Sequence, residues 1–163
     1  MSSDAQAATD DGDLDVRSFF ECYREALSAL DLDHLVSVYR LPLPVVRPDR
    51  TRLVEDAATL RAEIGRILDF YRWSGMQTVE IGAYRSHGFD VGMDIVSLTW
   101  LPLTAEGAEI ARIDATFAVR RVVTGARIAA VIAHNEERHR QPILRSALGQ
   151  QEAPHERILR PLP

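Results

Sequence analysis

Apart from a short proline-marked stretch at 41–54, the hydrophobic pattern of this chain changes period once, at Gly75. Before that point apolar residues recur every three to four positions, the spacing of one helical face; after it they alternate, as the two sides of a strand do. Helices followed by a run of strands on short connections cannot build a βαβ layer. They read as a helical part followed by an antiparallel, strongly bent sheet.

The first helix is read from Val16, Phe19, Phe20, Tyr23, Ala26, Leu27 and Leu30, with Asp13 or Asp15 as its cap. Asp31 starts a shorter second helix whose stripe is Leu32, Leu35, Val36 and Tyr39. The two prolines of LPLPVV exclude a helix interior, so 43–47 is expected as an edge strand that turns at Arg47-Pro48-Asp49-Arg50 into a partner over 51–54. Asp56 caps a third helix carrying Leu60, Ile64, Ile67, Leu68 and Tyr71, and Gly75 supplies the left-handed residue that ends it. Strands are expected over 76–86, 89–102, 109–123 and 126–134, joined at Gly88, Thr104–Gly107 and Thr124-Gly125. Within 109–123, Ile113, Ala115, Phe117 and Val119 alternate with Arg112, Asp114, Thr116 and Arg120, so one face is buried and the other partly wet.

Around this ordered stretch, 13–136, the acidic residues 1–12 read as a disordered lead and the proline-broken residues 137–163 as a partly ordered tail. Charge narrows the partners. The formal balance is −5, which argues against nucleic acid, and Arg120-Arg121 and Arg127 read as solvated strand ends. No apolar run reaches the roughly 20 residues of a membrane span, and the first dozen residues carry acid where a secretory leader needs base. With one cysteine, Cys22, read as a small buried hydrophobe, the expectation is a cytoplasmic chain. All nineteen basic residues are arginine, a compositional mark of a GC-rich bacterial source.

The segments FFECYREALSALDLDHLVSVY, DAATLRAEIGRILDFY and ARIAAVIAHNE, with the proline-punctuated hairpin between the first two, resemble the nuclear transport factor 2-like superfamily over residues 13–136. The last segment is similar to the end of many SnoaL-like domains. The resemblance implies a cone-shaped α+β barrel, its curved antiparallel sheet wrapped around three N-terminal helices and enclosing a pocket. It also implies a homodimer through the sheet, as does a sheet with both faces partly apolar.

Ketosteroid isomerases of that superfamily use a tyrosine on the first helix, an aspartate on the first strand and a protonated aspartate deep in the sheet (a worked example of pKa tuning in general accounts of catalysis). Tyr23 and Tyr39 match the family's spacing, but Arg47 stands where the proton-moving aspartate would be, and Thr116 or Phe117 where the deep one would be. Arginine stays protonated and is no general base. Chemistry of that type is therefore not expected.

Tyr23, Tyr39, Arg47 and Phe117 are instead candidate ligand-binding residues. An arginine forks two parallel bonds onto an anion, and a tyrosine places one donor in an apolar wall. Asp94, with Gly92 and Met93 beside it, and His134 are the candidate catalytic residues if they point inward. Pointing outward, Asp94 and Asp114 would pair with Arg112 or Arg85. Trp100, near a strand end, fits core, pocket wall or subunit contact equally. No metal site and no cofactor is expected: the histidine spacing fits no zinc motif, and no phosphate loop or nucleophile elbow is present. The leading reading is a domain that binds a small organic molecule. The alternatives are a SnoaL-like proton-transfer enzyme (isomerase, cyclase or dehydratase) using Asp94 or His134 as base and Tyr23 as donor, and a protein-interaction module.

Overall fold

The computed structural model describes residues 11–89 and 92–134, with side chains from Val16 onward. The expected lead and tail lie outside the described residues except at Asp11 and Gly12. The elements are α1 (Asp11–Ser28), α2 (Leu32–Ser37), β1 (Leu43–Val46), β2 (Thr51–Val54), α3 (Ala57–Trp73), β3 (Thr78–Phe89), β4 (Met93–Leu103), β5 (Ile113–Val122) and β6 (Gly125–Ala133).

α1 begins at Asp11, so Asp13 and Asp15 sit inside the helix and do not cap it. Its buried stripe is Val16, Phe20, Tyr23, Ala26 and Leu27. Cys22 falls between those positions and is exposed, which corrects its reading as a buried residue. The helix stops where Leu30 takes φ 53° and the Asp31 N–H reaches back to the carbonyl of Ala26 at 2.9 Å. Asp31 then caps α2 by accepting from the His34 N–H at 3.0 Å. Asp56 does the same for α3, accepting from the Thr59 N–H at 2.7 Å. Gly75 closes α3 at φ 76°, with the Met76 N–H on the carbonyl of Tyr71.

The strands form one six-stranded sheet in the order β2-β1-β6-β5-β4-β3. Every pairing is antiparallel except that of β1 with β6. The α+β class stands, but the sheet is open: β2 and β3 are its edges and do not meet. The three helices do not all precede the sheet, since α3 lies between β2 and β3. The expected edge strand, β1, is interior. Pro44 is tolerated there because the parallel pairing to β6 covers only Val45 and Val46, one residue beyond the missing N–H. Irregularities between Ile81 and Tyr84 and between Ala118 and Val119 bend the sheet and increase its twist.

Register sorts the residues onto two faces. The inner face carries Val96, Leu98, Trp100, Phe117, Val119 and Ile128, all buried. α1 lies on it. Phe20, fully buried, places its ring 5.2 Å from Phe117 and 6.3 Å from Trp100. Ser28 fixes the far end of the helix by accepting from the Val79 N–H at 2.9 Å. The outer face carries Ile95, Ser97, Thr99, Asp114, Thr116 and Ile132.

Candidate functional site

Two phenols meet above the inner face. Tyr23 stands on the buried stripe of α1. Tyr39 follows α2, where the chain is stitched to β6: the Ile128 N–H donates to the carbonyl of Val38, and the Arg40 N–H to that of Ile128, at 2.9 and 2.8 Å. Those bonds hold the Tyr39 backbone against β6 and bring its hydroxyl 2.6 Å from that of Tyr23, the short end of the O–H···O range. The Tyr23 ring stacks on Trp100 at 5.3 Å and 26°, and Phe117 lies 6.4 Å away. Sixteen residues in sequence therefore become one hydroxyl pair inside an aromatic wall. Chained hydroxyls polarise one another, so such a pair is a stronger donor to an oxygen than a lone phenol.

The structure brings together Tyr23, Tyr39 and Phe117. Arg47 lies one position beyond β1, half-buried in the β1–β2 turn, its N–H on the carbonyl of Arg50 at 2.8 Å. Asp94 does face inward, on the same side of β4 as Val96 and Trp100, and is 5% exposed. It is held in a bidentate ion pair: Arg121 donates from Nε to Oδ2 at 2.7 Å and from Nη2 to Oδ1 at 3.1 Å. The partner is neither Arg112 nor Arg85, the two that the sequence suggests. Gly88, opposite Asp94 on β3, makes room for the pair, since a Cβ there would lie 3.0 Å from Asp94 Oδ1 and 3.2 Å from Arg121 Nη2.

His134 is exposed on the outer face, its Nε2 2.9 Å from the Thr116 hydroxyl, which in turn meets Ser97 at 2.8 Å. The sheet separates it from the two phenols, so His134 and Tyr23 do not converge on one point. Asp114 faces outward, accepting from Thr99 at 2.6 Å, while Arg112 pairs with Glu109. Thr116 is likewise outward and Phe117 inward, so neither position offers an acid beside the phenols.

Two participants escape sequence reasoning. Trp100 is one of several aromatics that periodicity leaves undecided, and Arg121 reads as a solvated strand end. Their signal is register: on the inner face, Arg121 is the next residue after Val119, which pairs with Asp94. Among the described residues no group of three or more potential ligands could hold a metal ion, and no described helix is long and apolar enough to cross a membrane.

Solved structures share this architecture. Aln2 from a Streptomyces species matches with a TM-score of 0.64 at 12% identity, covering 86% of this chain and 99% of that one. A putative dehydratase from the NTF2-like family of Streptomyces avermitilis matches at 0.58 and 16%, covering 77% and 97%. An NTF2-like protein with a cystatin-like fold from Novosphingobium aromaticivorans matches at 0.59 and 12%, covering 76% and 81%. At such identities the likeness shows the fold alone. No curated protein matches this chain. A family model described as NTF2-like protein (DUF6841) matches residues 11–136, a span that includes every described residue, and the chain belongs to that family.

Proposed function

We propose that the inner face binds a small planar organic molecule bearing an oxygen, seated against Trp100 and Phe117 and hydrogen-bonded by the Tyr23–Tyr39 pair. The observation that carries this reading is the 2.6 Å contact of two hydroxyls inside an otherwise aromatic wall. A few polar groups in an apolar lining are what small-molecule sites are made of. Arg47, at the β1–β2 turn, is the candidate for a charged substituent. A cytoplasmic bacterial setting is part of the proposal, resting on the single cysteine and the all-arginine composition.

Trp100 provides the readout. The only other tryptophan, Trp73, is 56% exposed and can be replaced by phenylalanine to leave one buried fluorophore. Titration of that variant with 2-naphthol and related planar phenols is expected to give saturable quenching and a raised melting temperature. Tyr39→Phe should weaken binding about fivefold, the worth of one hydrogen bond of about 1 kcal/mol. Absence of saturable binding, or equal affinity in Tyr23→Phe, Tyr39→Phe and the parent, overturns the proposal.

The inward carboxylate of Asp94 supports a second reading, a proton-transfer enzyme with Asp94 as base and Tyr23 as donor; one structural neighbour is named a putative dehydratase. Under that reading Asp94→Asn retains ligand binding and loses turnover.

A further inference from the structure

We infer that the outer face of the sheet carries a binding site of its own for a small organic oxyanion, a carboxylate or a phosphate ester, held by Arg85 and by the hydroxyl of Ser97, whose donor direction is set by His134. Register assembles it. Arg85 on β3 lies directly across from Ser97 on β4, Ser97 across from Thr116 on β5, and Thr116 across from Ile132 on β6. His134 reaches back from the next row, with its backbone N–H on the carbonyl of Asp114 at 3.0 Å. The Thr116 hydroxyl therefore stands between two partners, Ser97 Oγ at 2.8 Å and His134 Nε2 at 2.9 Å. A guanidinium, two hydroxyls and an imidazole follow one another across the four strands.

The chain of bonds has a direction, and counting hydrogens fixes it. With the ring neutral and its proton on Nδ1, Nε2 accepts from Thr116, and Thr116 accepts from Ser97, whose one hydrogen is consumed inside the chain. A protonated imidazole only donates. Nε2 then donates to Thr116, Thr116 donates to Ser97, and the Ser97 hydrogen is released for a ligand. In that state the row offers an anion one O–H beside a guanidinium, with a positive ring at the far end. Chained hydroxyls polarise one another, which strengthens the released donor.

Arg85 is exposed, and among the described residues no ion pair engages it. Cross-strand neighbours have Cβ atoms about 5 Å apart, so its guanidinium can fork two bonds onto an oxyanion that also accepts from Ser97. Ile95 and Ala118, in the adjacent row, give the organic part of the ligand an apolar floor. Few other charges face the chain. Asp114 on β5 accepts from Thr99 at 2.6 Å, and Arg112 beyond it pairs with Glu109. On β1 the residue beside Ile132 is Val46, followed by Arg47 in the turn. His87 shares the outer face of β3 with Arg85 and meets the Phe89 ring edge-on at 4.9 Å. Arg120 and Arg127, two rows away, add to the positive potential. The inference does not depend on the ligand-binding reading, because it uses the opposite side of the sheet.

The test is titration calorimetry on the full chain at about pH 5.5 and about pH 8, which bracket the range in which histidine changes charge. Sulfate is the first probe, because its own charge is constant over that range and any pH dependence belongs to the protein. Benzoate, ionised throughout, is the carboxylate arm, and the tighter of the two identifies the headgroup. Binding is expected to be about tenfold tighter at the lower pH, the worth of one hydrogen bond to a charged group. Arg85→Gln should weaken it at both. Thr116→Val cuts the chain while leaving the charges of His134 and His87 in place, so it should flatten the pH dependence. His134→Ala, a change at an exposed position, should do the same and removes His87 as the source. Failure of both anions to bind at the lower pH overturns the inference, as does equal affinity at the two pH values or indifference to Arg85→Gln. So does a Thr116→Val or His134→Ala protein, folded by circular dichroism, that keeps the whole change.

Discussion

Replacing Arg121 by methionine removes one half of the ion pair beneath Gly88 and isolates the other. The Asp94 side chain is 7% exposed and that of Arg121 35%, so the two partners are not equivalent. Without Arg121, the Asp94 carboxylate loses two charge-assisted bonds at 2.7 and 3.1 Å in a place water hardly reaches. Breaking a fully buried pair costs about 3–5 kcal/mol. Screening at a guanidinium one-third exposed reduces this, and Arg121→Met is expected to cost about 1–3 kcal/mol. Asp94→Leu leaves an arginine that can swing into solvent, so its cost should be below about 1 kcal/mol. The double variant puts apolar groups on both sides and should lie within about 1 kcal/mol of the parent. Urea unfolding of all four proteins closes the cycle, with a coupling energy of the same order as the Arg121→Met loss. Equal costs for the two single variants, or a silent Arg121→Met, would refute the asymmetry on which this reasoning stands.

Gly75→Ala should lower stability by about 1 kcal/mol, roughly 2–4 °C in Tm, because the new Cβ meets nothing within 4 Å and the whole cost is its φ of 76°. Phe20→Ala empties the centre of the ring cluster and should cost about 3–5 kcal/mol in urea unfolding, whereas Phe89→Ala, 43% exposed, should cost far less. The backbone N–H of Thr59, then its hydroxyl, donate to Asp56 and hold its carboxyl below the usual carboxylate range. A depressed value stabilises the fold above the unfolded carboxylate pKa of about 4, and this stabilisation is lost as pH falls through the folded value. The Tm gap between the parent and Asp56→Ala should therefore be full at pH 7 and close progressively below about pH 4.

What is legible in the chain is what neighbouring residues decide. The stripes of α1 and α3, the caps at Asp31 and Asp56, the left-handed Gly75 and the hairpin sites at Thr104–Gly107 and Thr124-Gly125 each depend on a few consecutive residues, and each is where periodicity and turn chemistry put it, whereas Gly88, expected as a connection, lies within β3 opposite Asp94. The pairing of Tyr23 with Tyr39 is half visible, as a spacing shared with a known family. Its realisation depends on the stitching of residues 38–40 to Ile128, which no local pattern announces. Asp94 meets Arg121 instead of Arg112 because the register of β4 on β5 is set by how the chain crosses from Leu103 to Ile113, and alternation within either strand is blind to that offset. The same register sends His134 to the outer face. The prolines point β1 to an edge, although only Pro44 lies within it and β6 avoids that residue.

The parallel union of β1 with β6 has a consequence for biosynthesis. Val45 finds its neighbour only when Val131 exists, so the first strand leaves the ribosome long before its permanent place is available. At about 5–20 residues per second that wait lasts on the order of 4–17 s. Meanwhile β1 has only β2 for company, a two-stranded ribbon that is marginal in water by itself. The nascent domain must thus keep its early half uncommitted until β6 has been made. Chains that stop short of the final strand should be held by chaperones or degraded, because they have no partial version of this fold to settle into.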